Sequence, residues 1–180
     1  VYNAAFLESQ FWDGRAATLE EQAKGPLQAH VEMDMTPEMV VERLRTLGYT
    51  SLFEKAFPEA DTAVTFNHVA DAIAAFERTL ITPGAPFDRY LEGNEDALTA
   101  QQKAGLKVFT NNGCAGCHRG PMLGGQGYAN FSHAKGDADT GREEVTGEKS
   151  DRYSFRIASL RNVAETAPYF HDGSARTLRE

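Results

Sequence analysis

A chain of 180 residues that is 41% hydrophobic can bury a core, enough for one large or two small domains, and is not disordered as a whole. The formal net charge of −8 argues against nucleic acid as a partner, and no apolar run reaches the length of a membrane span. The opening Val1-Tyr2-Asn3-Ala4-Ala5-Phe6 falls inside an apolar stretch without a signal-peptide pattern, so part of a longer chain is expected.

In chain order, Thr18-Leu19-Glu20-Glu21 has the form of a capping box and predicts a short helix through Ala23, stopped by Gly25-Pro26. Residues 26–35 show no period and read as a loop. Thr36 as N-cap and Pro37 at the first helical position start a second helix, with Met39, Val40, Leu44 and Leu47 as its apolar face and Gly48 as its end. A third helix is expected over Ser51–Phe57, stopped by Pro58. The clearest helix runs from Phe66 to about Ile81, with Val69, Ile73, Phe76 and Leu80 on one face. Pro83, Gly84 and Pro86 then break the chain, which places a domain boundary near 82–98, with one helical turn at Asp88–Leu91. A second capping box, Thr99-Ala100-Gln101-Gln102, opens a helix to about Thr110, on which Gly105 and Phe109 share a face. A mid-helix glycine predicts close contact with another element. From Arg119 to Asp151 the chain is rich in Gly, Asp, Glu and Lys and reads as a long loop. No strand signal exceeds a few residues, so the fold class is all-α.

Both cysteines of the sequence lie in Gly113-Cys114-Ala115-Gly116-Cys117-His118. A disulfide across so short a loop is strained and typical of redox enzymes, but the histidine that follows makes the motif C-x-x-C-H, the attachment signature of a c-type haem. Two thiols one turn apart can add to the vinyl groups on one porphyrin edge, and the next residue brings an imidazole to the iron, so His118 is the expected proximal ligand. Zinc would need further ligands, and a thioredoxin-like dithiol would need a βαβ context. No sixth ligand stands out. Met122 is too near His118 to cross to the opposite haem face, Met39 sits on a helix face suited to core packing, and His133 and His171 remain candidates.

Several blocks give the sequence a family resemblance. Phe11-Trp12-Asp13-Gly14-Arg15, Gly25-Pro26-Leu27, Val31-Glu32-Met33, Leu80-Ile81-Thr82-Pro83, Pro86-Phe87-Asp88-Arg89-Tyr90, the C-x-x-C-H, Leu160-Arg161-Asn162-Val163 and Thr166-Ala167-Pro168-Tyr169-Phe170-His171-Asp172-Gly173 look like bacterial di-haem cytochrome c peroxidases, and the methylamine-utilisation di-haem enzymes share several of them. The resemblance implies cytochrome c-like helical domains. Residues 1–90 would be part of a domain with a peroxidatic haem, whose C-x-x-C-H is expected before Val1. Residues 91–180 would be an electron-transferring haem domain, whose methionine ligand is expected beyond Glu180 and whose last helix would cover Gly105 and Phe109.

It also implies roles. Glu32 and Gln22 align with the family's glutamate and glutamine on the peroxide side. A carboxylate in an apolar pocket can take a proton from one peroxide oxygen and deliver one to the other, and Val31 and Met33 flank Glu32 with apolar bulk; a surface glutamate is the plain alternative. Trp12 would lie between the haems, or else pack in a core. Thr166 and Pro168 align with residues whose backbone carbonyls help hold a calcium ion between the domains. Arg156 and Arg161 pair with haem propionates or are solvated charges. The implied activity is periplasmic reduction of hydrogen peroxide to water, with electrons from a small c-type cytochrome or a copper protein (a cupredoxin), in a homodimer with two haems c per full chain. The rivals are a plain electron-carrier cytochrome c and a di-haem oxidase that modifies a protein side chain.

Overall fold

Threonine side chains begin four of the helices. The Oγ1 atoms of Thr18, Thr36, Thr65 and Thr99 accept the backbone N–H of Glu21, Met39, His68 and Gln102 at 3.1–3.3 Å, each satisfying a donor that the first helical turn leaves open. The computed structural model describes residues 2–131 and 138–180. Its contacts divide the chain into two units, each with its own packing.

The first unit comprises Val1–Ala5, Ser9–Phe11 and Ala16–Leu80. It holds α1 (Leu19–Gln28), α2 (Pro37–Thr46), α3 (Thr50–Ala56) and α4 (Phe66–Glu77). Leu27, Val40, Phe53, Val64 and Val69 form its core, ringed by Met35, Leu44, Phe57 and Ile73. Helix α1 packs on α4, whose Ala70 and Ala74 are fully buried. Side chains this small let two helix backbones approach closely.

Helix α1 runs through Gly25-Pro26 rather than stopping there. Pro26 forfeits one hydrogen bond, but Leu27 just beyond it is anchored in the core, and the carbonyls of Gly25, Pro26 and Leu27 accept the N–H groups of Ala29, Met33 and Met35. Gly25 is suited to the spot because a Cβ there would press on the Phe11 ring at 3.1 Å. On α2 only Val40 is buried; Met39 and Leu47 are exposed, so the apolar face is narrower than expected. On α4 the expected stripe is also shifted. Phe76 is 62% exposed, and the inward positions are Val69, Ala70, Ala74 and Glu77.

The second unit comprises Phe6–Glu8, Trp12–Arg15 and Ile81–Glu180. It holds α5 (Pro86–Leu91), α6 (Ala100–Asn111), α7 (Glu143–Thr146) and a two-stranded antiparallel ribbon of β1 (Tyr128–Asn130) and β2 (Ser154–Arg156), with Tyr128 opposite Arg156. The expected capping box of α6 is present, Thr99 N–H returning to Gln102 Oε1 at 2.8 Å. The stretch 119–151, expected as loop, contains β1 and α7, too short to leave a periodic signal. Segment 12–15 is tied to this unit: the Trp12 carbonyl accepts the Arg156 N–H at 2.8 Å, and Arg142 donates to the Asp13 carbonyl at 3.1 Å while its guanidinium stacks 3.8 Å over the Tyr128 ring. Gly14, at φ +77°, lies directly against the Tyr128 hydroxyl and the Arg142 guanidinium, which would have to move to admit a Cβ. Among the described residues, no helix is long and apolar enough to cross a membrane.

Candidate functional site

Helix α6 ends at Asn111, and Gly113 at φ +80° turns the chain left-handed into a single 3-10 turn, Cys114–Gly116. The N–H groups of Cys117 and His118 both return to the Cys114 carbonyl, at 3.3 and 2.9 Å. Residues three apart eclipse one another on a 3-10 turn, so this geometry presents both thiols on one side, and both are free and exposed.

His118 is half-buried, with its ring 6.4 Å from that of Phe109. Its Nδ1 lies 3.1 Å from the Ala158 carbonyl oxygen and 3.2 Å from that of Leu123. Carbonyl oxygens only accept, so Nδ1 carries the hydrogen and the lone pair sits on Nε2, the atom then available to a metal. A metal-bound histidine needs such a second contact to fix its tautomer and ring direction. Gly124, at φ +125°, makes the contact reachable: a Cβ there would collide with Ala158 O and lie 3.2 Å from His118 Nδ1. Two free, exposed thiols three residues apart and an oriented imidazole with a bare Nε2 are the donor set that haem c requires, and the residues present fit it. Among the described residues, no cluster of three or more His, Cys, Asp or Glu side chains offers a competing metal site.

The other candidates fall as follows. Gln22 is half-buried on α1, and Glu32 is exposed in the turn after it, its N–H donating to Ala29 O at 2.9 Å. Val31 and Met33 are 90% and 55% exposed, so they do not enclose the Glu32 carboxylate. Trp12 is 38% exposed. Thr166 and Pro168 are exposed on either side of a cis Ala167–Pro168 bond. Met122 is buried, Met39 exposed, and His171 stacks on the Phe155 ring at 3.9 Å; His133 lies outside the described residues. Gly105 has nothing within 4 Å of where its Cβ would be, so among the described residues no element contacts it.

Arg161 does not project as a solvated charge. It makes a two-pronged ion pair with Asp88 at 2.7 and 3.0 Å and also donates to the Pro121 carbonyl. The Arg161 guanidinium beside Asp88 holds that carboxyl below its ordinary range. Burial lowers the pKa of Arg156, and the Tyr128 and Asp13 side chains oppose that shift. Gly124 and the carbonyls of Leu123 and Ala158 are the functional groups that sequence reasoning missed; the Gly124-Gly125 pair soon after the C-x-x-C-H was the one visible signal.

This arrangement is that of a c-type cytochrome site. The chain belongs to the di-haem cytochrome c peroxidase family, whose model matches residues 1–96. It is 51% identical to the cytochrome c551 peroxidase of Pseudomonas aeruginosa, over 100% of this chain and 54% of that protein. It is 38% identical to the methylamine utilization protein MauG of Methylorubrum extorquens, over 99% of this chain and 51% of that protein. A MauG-like protein associated with microbial copper homeostasis superposes with a TM-score of 0.84 at 29% identity, covering 99% of this chain and 59% of that one. The chain spans about half the length of the curated relatives it matches.

Proposed function

We propose that this chain is part of a periplasmic di-haem peroxidase that reduces hydrogen peroxide to water with electrons from a small c-type cytochrome or cupredoxin. The observation that carries the reading is the His118 Nδ1 hydrogen bond to Ala158 and Leu123, which leaves Nε2 as a ligand on the residue that follows the two free thiols of the C-x-x-C-H. Haem c held by Cys114, Cys117 and His118 supplies an iron that accepts and releases one electron at a time. The overall reaction consumes peroxide, two electrons and two protons and yields two waters. On the peroxide side, assigned to the domain of residues 1–90, Glu32 would take a proton from one peroxide oxygen and deliver it to the other, and Gln22 would orient the substrate by hydrogen bonding. Trp12, whose carbonyl accepts the Arg156 N–H, would lie between the two haems and assist electron transfer there. The carbonyls of Thr166 and Pro168, both exposed, contribute to a calcium site, for which oxygen donors are the appropriate chemistry. A homodimer and a second haem upstream complete the assembly.

A pyridine haemochrome assay on the intact gene product tests the reading: two haems per chain are expected, and one would overturn it. Glu32→Gln is expected to lower peroxide turnover about 100-fold or more with both haems retained, and near-normal rates would remove Glu32 from the chemistry. A side-chain-modifying oxidase is the second reading, favoured by the 38% identity to MauG. Negligible turnover of peroxide with any small electron donor would select it.

A further inference from the structure

The carbonyls that orient His118 do not stand alone. The segment Ile157–Asn162 is stitched to residues 121–127 by hydrogen bonds: Gly125 N–H to Ile157 O at 2.7 Å, Leu160 N–H to Leu123 O at 3.2 Å, and Ser159 Oγ to Met122 O at 2.6 Å. The Ser159 hydroxyl also accepts the Arg161 N–H at 3.2 Å. Arg161 closes the assembly. Its Nε donates to Pro121 O, and its other two nitrogens grip Asp88, whose second role is to accept the Ala85 N–H at the start of α5. The two ion-pair side chains are only 16% and 19% exposed, so the pair is screened far less than a surface bridge. A planar guanidinium pinned on both edges is a rigid spacer, and lysine cannot reproduce it.

We propose that the Asp88–Arg161 pair is a positioning device for the iron ligand: by bracing segments 121–125 and 157–161 against α5, it holds the Leu123 and Ala158 carbonyls on His118 Nδ1 and so sets how basic that imidazole is toward iron. The proposal rests on the haem reading of the preceding section. A firm Nδ1–H bond to a carbonyl makes the imidazole a stronger donor and favours the ferric form; loosening it favours the ferrous form.

The test is a spectroelectrochemical titration of the full-length holoprotein, following the wave altered by His118→Ala. Arg161→Lys, Arg161→Gln and Asp88→Asn are each expected to shift the reduction equilibrium of that haem toward ferrous by about threefold or more, about 28 mV for one electron. At Arg161 the sign separates positioning from charge, whereas at Asp88 loss of the anion alone also favours ferrous, so the Arg161 variants decide. Loss of the Arg161 cation alone would push Arg161→Gln toward ferric, and Arg161→Lys, which keeps the charge, would not move. Either of those results overturns the proposal, as does a loss of thermal stability with no change in potential. Arg161→Lys also serves as the milder variant should Arg161→Gln fold poorly. If the haemochrome assay finds no thioether-bound haem, the haem reading itself fails; intact haem with an unmoved potential defeats this inference alone.

Discussion

At the scale of single residues, the site was half legible. The C-x-x-C-H pattern identifies itself, because thioether attachment and ligation depend on side chains at fixed spacing. The groups that orient His118 are backbone carbonyls at Leu123 and Ala158, and carbonyls leave no mark in a sequence. Arg161 was visible as a cation, but its partner Asp88 lies 73 residues away. Glycine is where residue-level prediction is sharpest. Gly14 combines φ +77° with direct contact to Tyr128 and Arg142, so Gly14→Ala is expected to cost about 2 kcal/mol or more, read as a lowered thermal midpoint by circular dichroism. Glu77 offers a second test. It is buried, its Oε2 has no hydrogen-bond partner among the described residues, and burial raises its pKa above the ordinary 4.5, with Glu20 adding to the rise and Arg78 opposing it. A folded-state pKa above the unfolded one means that its contribution is fully present below the unfolded pKa and is lost as pH rises through the folded pKa. Glu77→Gln is therefore expected to be more stable than the parent at pH 8 and to lose that advantage by pH 4, measured by urea unfolding at both pH values.

At the scale of elements, the sequence reading succeeded where the determinants are local. A cap needs only a threonine and the next few residues, and α1, α2 and α6 all start where their threonines predict. It failed where packing overrides local preference. Pro26 lies within α1 because the buried Leu27 beyond it holds the last turn, and nothing near Pro26 in sequence reports that core. The inward face of α4 was misjudged for a related reason. Large side chains dominate any count of apolar periodicity, so Phe76 drew the stripe outward, while the small Ala70 and Ala74, at 0% exposure, are among the residues α4 buries as it packs on α1 and α2. Ala74→Leu is accordingly expected to destabilise the protein by about 1–3 kcal/mol through overpacking, whereas the same change at exposed Ala75 should be close to neutral. Paired denaturant titrations distinguish the two outcomes.

At the scale of the whole molecule, burial is unevenly shared. Helix α4 contributes Val69, Ala70, Ala74 and Glu77 to the interior of its unit, while α6, of equal length, contributes no buried residue. The partition of the first sixteen residues has a further consequence. Residues 6–8 and 12–15 belong to the second unit, although their neighbours on either side belong to the first. The carbonyls of Trp12 and Asp13 are bonding partners of Arg156 and Arg142, so a gene fragment beginning at the linker after Leu80 encodes the cysteines and their histidine but omits the chain that caps the ribbon. A fragment cut at that linker leaves the Arg156 amide and the Arg142 guanidinium without these acceptors, so the haem-bearing unit is not a single continuous stretch of the gene.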